Sequence, residues 1–102
     1  MTYLDALAHD ILAAVPREVL PDQEPSDLFL IYAVLLLAKG EDVTREDVHN
    51  AWVAWMITRG AHHESMVPFA DLPPGTQAED SPFVVAIHAV ARSRQGGLGS
   101  VR

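Results

Sequence analysis

The eleven residues from Leu28 to Ala38, LFLIYAVLLLA, carry apolar or aromatic side chains on every face. No other stretch limits the fold as much. As a helix the run spans about 16 Å, against a bilayer hydrocarbon core of about 30 Å, so it is too short to cross a membrane. A helix with no polar face lies at the centre of a fold or is shared with a second subunit. The central position is the preferred reading, and it leaves the chain a monomer or a homodimer through this helix. With 102 residues, 49% of them hydrophobic, the chain has the size and composition of one globular domain.

Three further helices frame this one. Leu4, Leu7, Ala8, Ile11, Leu12 and Val15 recur at the i, i+3, i+4, i+7 spacing and predict a helix over 3–15, with Thr2 as N-cap and Pro16 as its stop. The segment PREVLPDQEP holds three prolines and is a connector in which Val19 and Leu20 tuck a short turn against the core. Ser26 or Asp27 is then expected to cap the apolar helix, 27–39, which ends at Gly40. Thr44 and Asp47 resemble a capping box for a third helix over 45–59. Its stripe is Val48, Ala51, Trp52, Trp55 and Met56, both tryptophans reading as core, and Gly60 ends it. Ser81 followed by Pro82 opens a fourth helix over 82–93, packed through Phe83, Ile87, Val90 and Ala91.

The expected fold is therefore all-α. Four main helices form a single domain over 1–95, with an ordered, proline-rich loop at 61–81 packed across the third. Within that loop Met66–Phe69 reads as extended, Asp71–Pro73 as one helical turn and Thr76–Glu79 as another. Loops of about twenty residues are uncommon in compact domains and are often functional. Residues 96–102, with Gly96, Gly97, Gly99 and Arg102, read as a flexible basic tail.

Charge narrows the function. Fourteen acids against seven Lys and Arg give a formal net charge of −7, which argues against direct nucleic-acid binding, since that depends on cations neutralising phosphates. The opening MTYLDALAHD has no basic region and places Asp5 and Asp10 within the first helix, unlike a secretory leader. The absence of cysteine excludes disulfides and thiolate-ligated metal and fits a cytoplasmic protein.

Few residues could carry chemistry. His49, His62, His63 and Glu64 are the one group of potential metal ligands, but the HExxH spacing is missing and adjacent histidines diverge. The expectation is no metal and no cofactor. Ser65, Ser81, Thr58 and Tyr32 are candidate nucleophiles that nothing singles out, and no phosphate loop or nucleophile elbow is present. His49 falls at the edge of the third helix's stripe, where a half-buried imidazole donates to a loop carbonyl. Arg59 falls near the centre of that stripe. It either pairs with an acid of the 61–81 loop or offers a fork to a carboxylate or phosphate ligand, with Trp52 or Trp55 as a stacking face.

The segment His49-Asn50-x-Trp52, Gly60, Met66-Val67-Pro68-Phe69-x-x-Leu72-Pro73 resembles the RyR domain over about residues 45–91. The stretches YAVLLLAKG, VHNAWVAWM and QAEDSPF are similar to small proteins of actinobacterial phages and prophages that form a domain-of-unknown-function family. The resemblance implies a non-enzymatic module that binds a host protein or a small nucleotide-like ligand in the host cytoplasm. His49, Trp52, Pro68 and Phe69 would be its motif positions, joined as candidate contacts by Trp55, Arg59 and His63. The loop between Gly60 and Met66 is shorter than in receptor repeats, and Gln77, Glu79 and Asp80 stand where the family has basic residues. An alternative is a small metal-dependent hydrolase using His49, His62, His63 and Glu64, and a third reading is a purely structural, oligomer-forming protein.

Overall fold

A computed structural model describes the backbone of residues 1–101 and the side chains of residues 1–94. The described residues form helices and turns without a strand: α1 (Tyr3–Ala14), α2 (Ser26–Lys39), α3 (Arg45–Thr58), α4 (Pro74–Ala78) and α5 (Ser81–Val101). The all-α expectation holds. α5 runs to Val101, past the end expected at 93 and into the stretch 96–102 anticipated as a tail, whose side chains lie outside the described residues.

Two threonines set the helix starts as their spacing predicts. Thr2 accepts from Asp5 N while the Asp5 carboxylate accepts from Thr2 N at 2.8 Å, a closed capping box. Thr44 and Asp47 repeat the arrangement at the start of α3, where Asp47 Oδ2 also accepts from Lys39 Nζ at 2.9 Å. Aspartate replaces the usual glutamate in both boxes, and the geometry still closes. The start of α2 differs from expectation. Pro25 stands at the cap, Ser26 is already helical, and Glu24 reaches forward to accept from Ser26 N and Oγ.

α2 is the centre of the fold, packed against α1, α3 and α5. Leu28, Phe29, Tyr32, Ala33 and Leu36 are buried, and only Val34 (53% exposed) and Leu37 (46%) show large apolar surface to solvent. Three neighbours account for an apolar sequence that no amphipathic pattern could explain. Ile11, Val48, Trp55 and Ile87 close the core from the other helices.

α3 ends in a Schellman turn. Gly60 has φ +67°, Ala61 N donates to Met56 O at 3.0 Å and Gly60 N to Ile57 O at 3.0 Å. The chain then crosses α3 and returns. Its helical turns sit slightly off the expected places, a 3-10 turn at Phe69–Asp71 and α4 from Pro74. Proline explains the shift: Pro68 and Pro73 take extended cap positions, and Pro74 fits the first helical turn where it needs no N–H. Leu72 anchors this return by burial.

Candidate functional site

A cleft of about 410 Å³ lies where α2, α3, the 61–80 segment and the start of α5 meet. Its walls come from residues far apart in the chain. α2 supplies Leu28 and Tyr32, α3 supplies His49 and Trp52, and α5 supplies Phe83. Thr76, Glu79 and Asp80 close the side formed by α4 and the turn after it.

His49 links α3 to the crossing segment. Only 3% of it is exposed, and its Nε2–H donates to Val67 O at 2.7 Å. A carbonyl can only accept, so in the neutral ring the lone pair sits on Nδ1. The imidazole stacks on Trp52 at 5.8 Å between centroids, and Phe69 covers it at 6.0 Å. Arg45 in turn lies 5.7 Å over the Phe69 ring. Gln77 Nε2 donates to Phe69 O at 2.9 Å and ties α4 to the same segment. The crossing chain is thus held by two side chains bonding to its carbonyls.

Asp80 is the electrostatic centre of the cleft. Burial first, with the neighbouring Glu79 charge, pushes its carboxyl up to about 6 from an ordinary 3.8, although His49 and Arg45 act the other way. Among the described residues the two ion pairs are Lys39–Asp47 and Arg92–Glu41, so Asp80 has no basic partner. Tyr32, 2% exposed, faces the cleft and packs edge-on against Phe29 at 5.0 Å and at a tilt against Phe83 at 5.8 Å. Burial and the Asp80 charge both raise its phenol well above the ordinary range, so it stays protonated.

The residues singled out from the sequence separate into two groups. His49 and Trp52 line the cleft, Phe69 backs His49, and His63 meets Trp52 edge-on at 5.4 Å while staying exposed. Trp52 is therefore a half-buried wall and not the core residue its spacing suggested. Trp55 is core, its Nε1 buried without a hydrogen-bond partner. Pro68 is exposed and shapes the backbone.

Arg59 takes the Trp55 stacking face expected of it but not the ion pair with a loop acid. It is the exposed C-cap residue, its guanidinium lies 4.7 Å over the Trp55 ring, and it joins neither described ion pair. Its αR backbone and the bond from Arg59 N to Trp55 O keep it one turn past Trp55, on the stripe, although it is exposed.

Among the described residues no group of three or more His, Asp or Glu side chains could hold a metal ion. His63 Nδ1 instead accepts from Ser65 N at 3.0 Å. No described helix is long and apolar enough to cross a membrane.

Sequence reasoning missed Tyr32 and Asp80 as partners in one site. The signal available was weak: an acid just before the Ser-Pro start of a helix, and one polar atom in an otherwise apolar run. No curated protein and no solved structure matches the chain. A family model does match, over residues 2–92, nearly the whole folded part and α1 included. The chain belongs to the family described as Domain of unknown function (DUF7701).

Proposed function

We propose that this chain is a non-enzymatic binding module that takes its ligand in the cleft between α3, the 61–80 segment and the start of α5. The observation that carries the reading is the preformed cleft walled by Trp52, whose indole stays half-buried while Trp55, one turn on, is sealed in the core. Concave, largely apolar sites with a few convergent polar groups are where ligands bind. The resemblance of residues 45–91 to RyR domains agrees with this, since the motif positions His49 and Trp52 line the cleft and Phe69 supports them.

Of the two ligand classes considered from the sequence, a partner protein is the better fit. A nucleotide-like ligand would find aromatic walls, but its phosphates would meet Glu79 and Asp80 with no Lys or Arg in the lining. In a phage or prophage setting, as the likeness to actinobacterial phage proteins implies, the partner would be a host protein in the host cytoplasm. Assembly through the Val34 and Leu37 face of α2 is the competing role, and light scattering that finds a dimer broken by Leu37→Glu would favour it.

Amide chemical-shift mapping tests the reading. The panel comprises nucleotides, cyclic nucleotides and short blocked peptides of different charge, applied to the wild type and to Trp52→Ala. At least one class should shift amides around the cleft in the wild type and not in the variant. A ligand at 100 times its dissociation constant should also add about 2.7 kcal/mol to stability. Silence across the whole panel would contradict the proposal.

A further inference from the structure

Building on that proposed function, we infer that the cleft receives a basic side chain, lysine or arginine, presented by a partner protein. Asp80 is its counter-charge, and Tyr32, Trp52 and Phe83 surround its apolar stem. Four observations lead there. The lining contains two carboxylates, Glu79 and Asp80, and neither Lys nor Arg. Three aromatic rings face the same space, and the negative π-face of an aromatic ring attracts a cation, most strongly where water is excluded. Leu28, Leu72 and Pro82 supply surface of the kind that the methylene stem of a basic residue covers.

The fourth observation is the state of the polar groups themselves. Asp80 is half-buried and unpaired among the described residues, although a carboxylate withdrawn from water normally has a partner. Tyr32 is buried as a residue, yet its hydroxyl takes part in none of the described side-chain hydrogen bonds and is not among the buried unpaired atoms, so it opens on the cleft. An ammonium or guanidinium entering the cleft would supply donors to both oxygens at once. His49 shares the lining and its charge favours the Asp80 carboxylate, but among the described residues it forms no ion pair with Asp80, and its Nε2–H bonds Val67 O. Arg45 lies over Phe69, outside the lining. Burial raises the Asp80 titration point, and the charges of His49 and Arg45 act against that rise without forming a described ion pair.

The test uses blocked tripeptides, acetyl-Gly-X-Gly-amide, with X as lysine, arginine, norleucine or glutamate. Binding is followed by amide shifts at pH 7.5 in the wild type and in Asp80→Asn. Asparagine keeps the shape of the side chain and is equally favoured ahead of a helix start, while removing the charge. Butylammonium serves as a free amine. The expected result is saturable binding of a basic peptide at the cleft, with norleucine and Asp80→Asn each weaker on the order of tenfold.

Equal binding of norleucine would overturn the cationic site and leave the binding module standing. So would a nucleotide hit with the basic peptides silent. Butylammonium binding as tightly as the lysine peptide would overturn the protein source in favour of a small amine. Silence from every probe, nucleotides included, would overturn both this inference and the module.

Discussion

His49 and His88 make the same bond in different electrostatic surroundings. Each donates from Nε2 to a loop carbonyl far along the chain, His49 to Val67 O at 2.7 Å and His88 to Val43 O at 2.8 Å. Around His88 the charges are settled. Arg92 Nε donates to Glu41 at 2.7 Å, and Lys39 holds Asp47 beside the Thr44 capping box. Burial works against the Asp47 charge, but the bonds from Lys39 and Thr44 prevail and keep its carboxyl below the usual range. Around His49 a cleft opens, and Asp80 is left with a raised titration point and no ion pair among the described residues. A seam that only joins elements ends with its polar groups matched. A seam that also binds something keeps a group in reserve, at a cost to the fold.

Four substitutions test that contrast, in order of expected effect. Phe29→Ala should erase it, because Phe29 is fully buried and its ring supports both Tyr32 and Phe83. The loss should be about 3–5 kcal/mol by chemical denaturation, with the cleft's ligand response lost as well.

His49→Leu and His88→Leu should each cost about 1–3 kcal/mol, since each leaves a loop carbonyl short of its donor. Their local signatures should differ. Hydrogen exchange should quicken over 61–73 in the first and over 40–43 in the second, and only the first should disturb ligand binding. Matching exchange patterns would erase the distinction between the seams.

Lys39→Ala should have the smallest effect, less than either histidine change, because Lys39 is exposed, salt screens its charge, and the half-buried Asp47 keeps its bonds to Thr44. In 1 M salt the midpoint difference from the wild type should shrink towards zero.

Much of the scaffold was legible in the sequence because its determinants are local. Thr2 with Asp5, Thr44 with Asp47 and Gly60 each act within a few residues, so spacing alone located the ends of α1 and α3. The uniform apolarity of 28–38 likewise implied a helix with neighbours on several sides. The site was legible only in part. His49 was expected to bond a loop carbonyl, and it does, but the cleft it lines together with Asp80 exists only once the 61–80 segment has folded back. Trp52 and Trp55 share one stripe in sequence; what separates them is tertiary, since Trp55 is sealed in the core and Trp52 lines the cleft between His49 and His63. Arg59 lies over Trp55 as the stripe implied, but it is exposed and joins neither described ion pair, which depends on where the loop acids fold and not on spacing. The Pro68 and Pro73 turns were displaced because each proline favours an extended cap just ahead of the turn.

The central claim is that Asp80 is held ionised at a cost so that it can meet a cation, and its own titration tests this most directly. Its folded value of about 6 lies above the ordinary 3.8, so folding favours the protonated form. The cost is present in full above pH 6 and is relieved as the pH falls towards 4. The other carboxylates whose values are shifted, including Asp5 and Asp47, lose stability on acidification equally in both proteins and cancel from the difference. The decisive measurement is the thermal midpoint of Asp80→Asn against the wild type at pH 7.5 and at pH 4. The account predicts a more stable variant at pH 7.5 and a gain that vanishes at pH 4. A variant less stable than the wild type at pH 7.5 would show that Asp80 serves the fold, and would contradict the account.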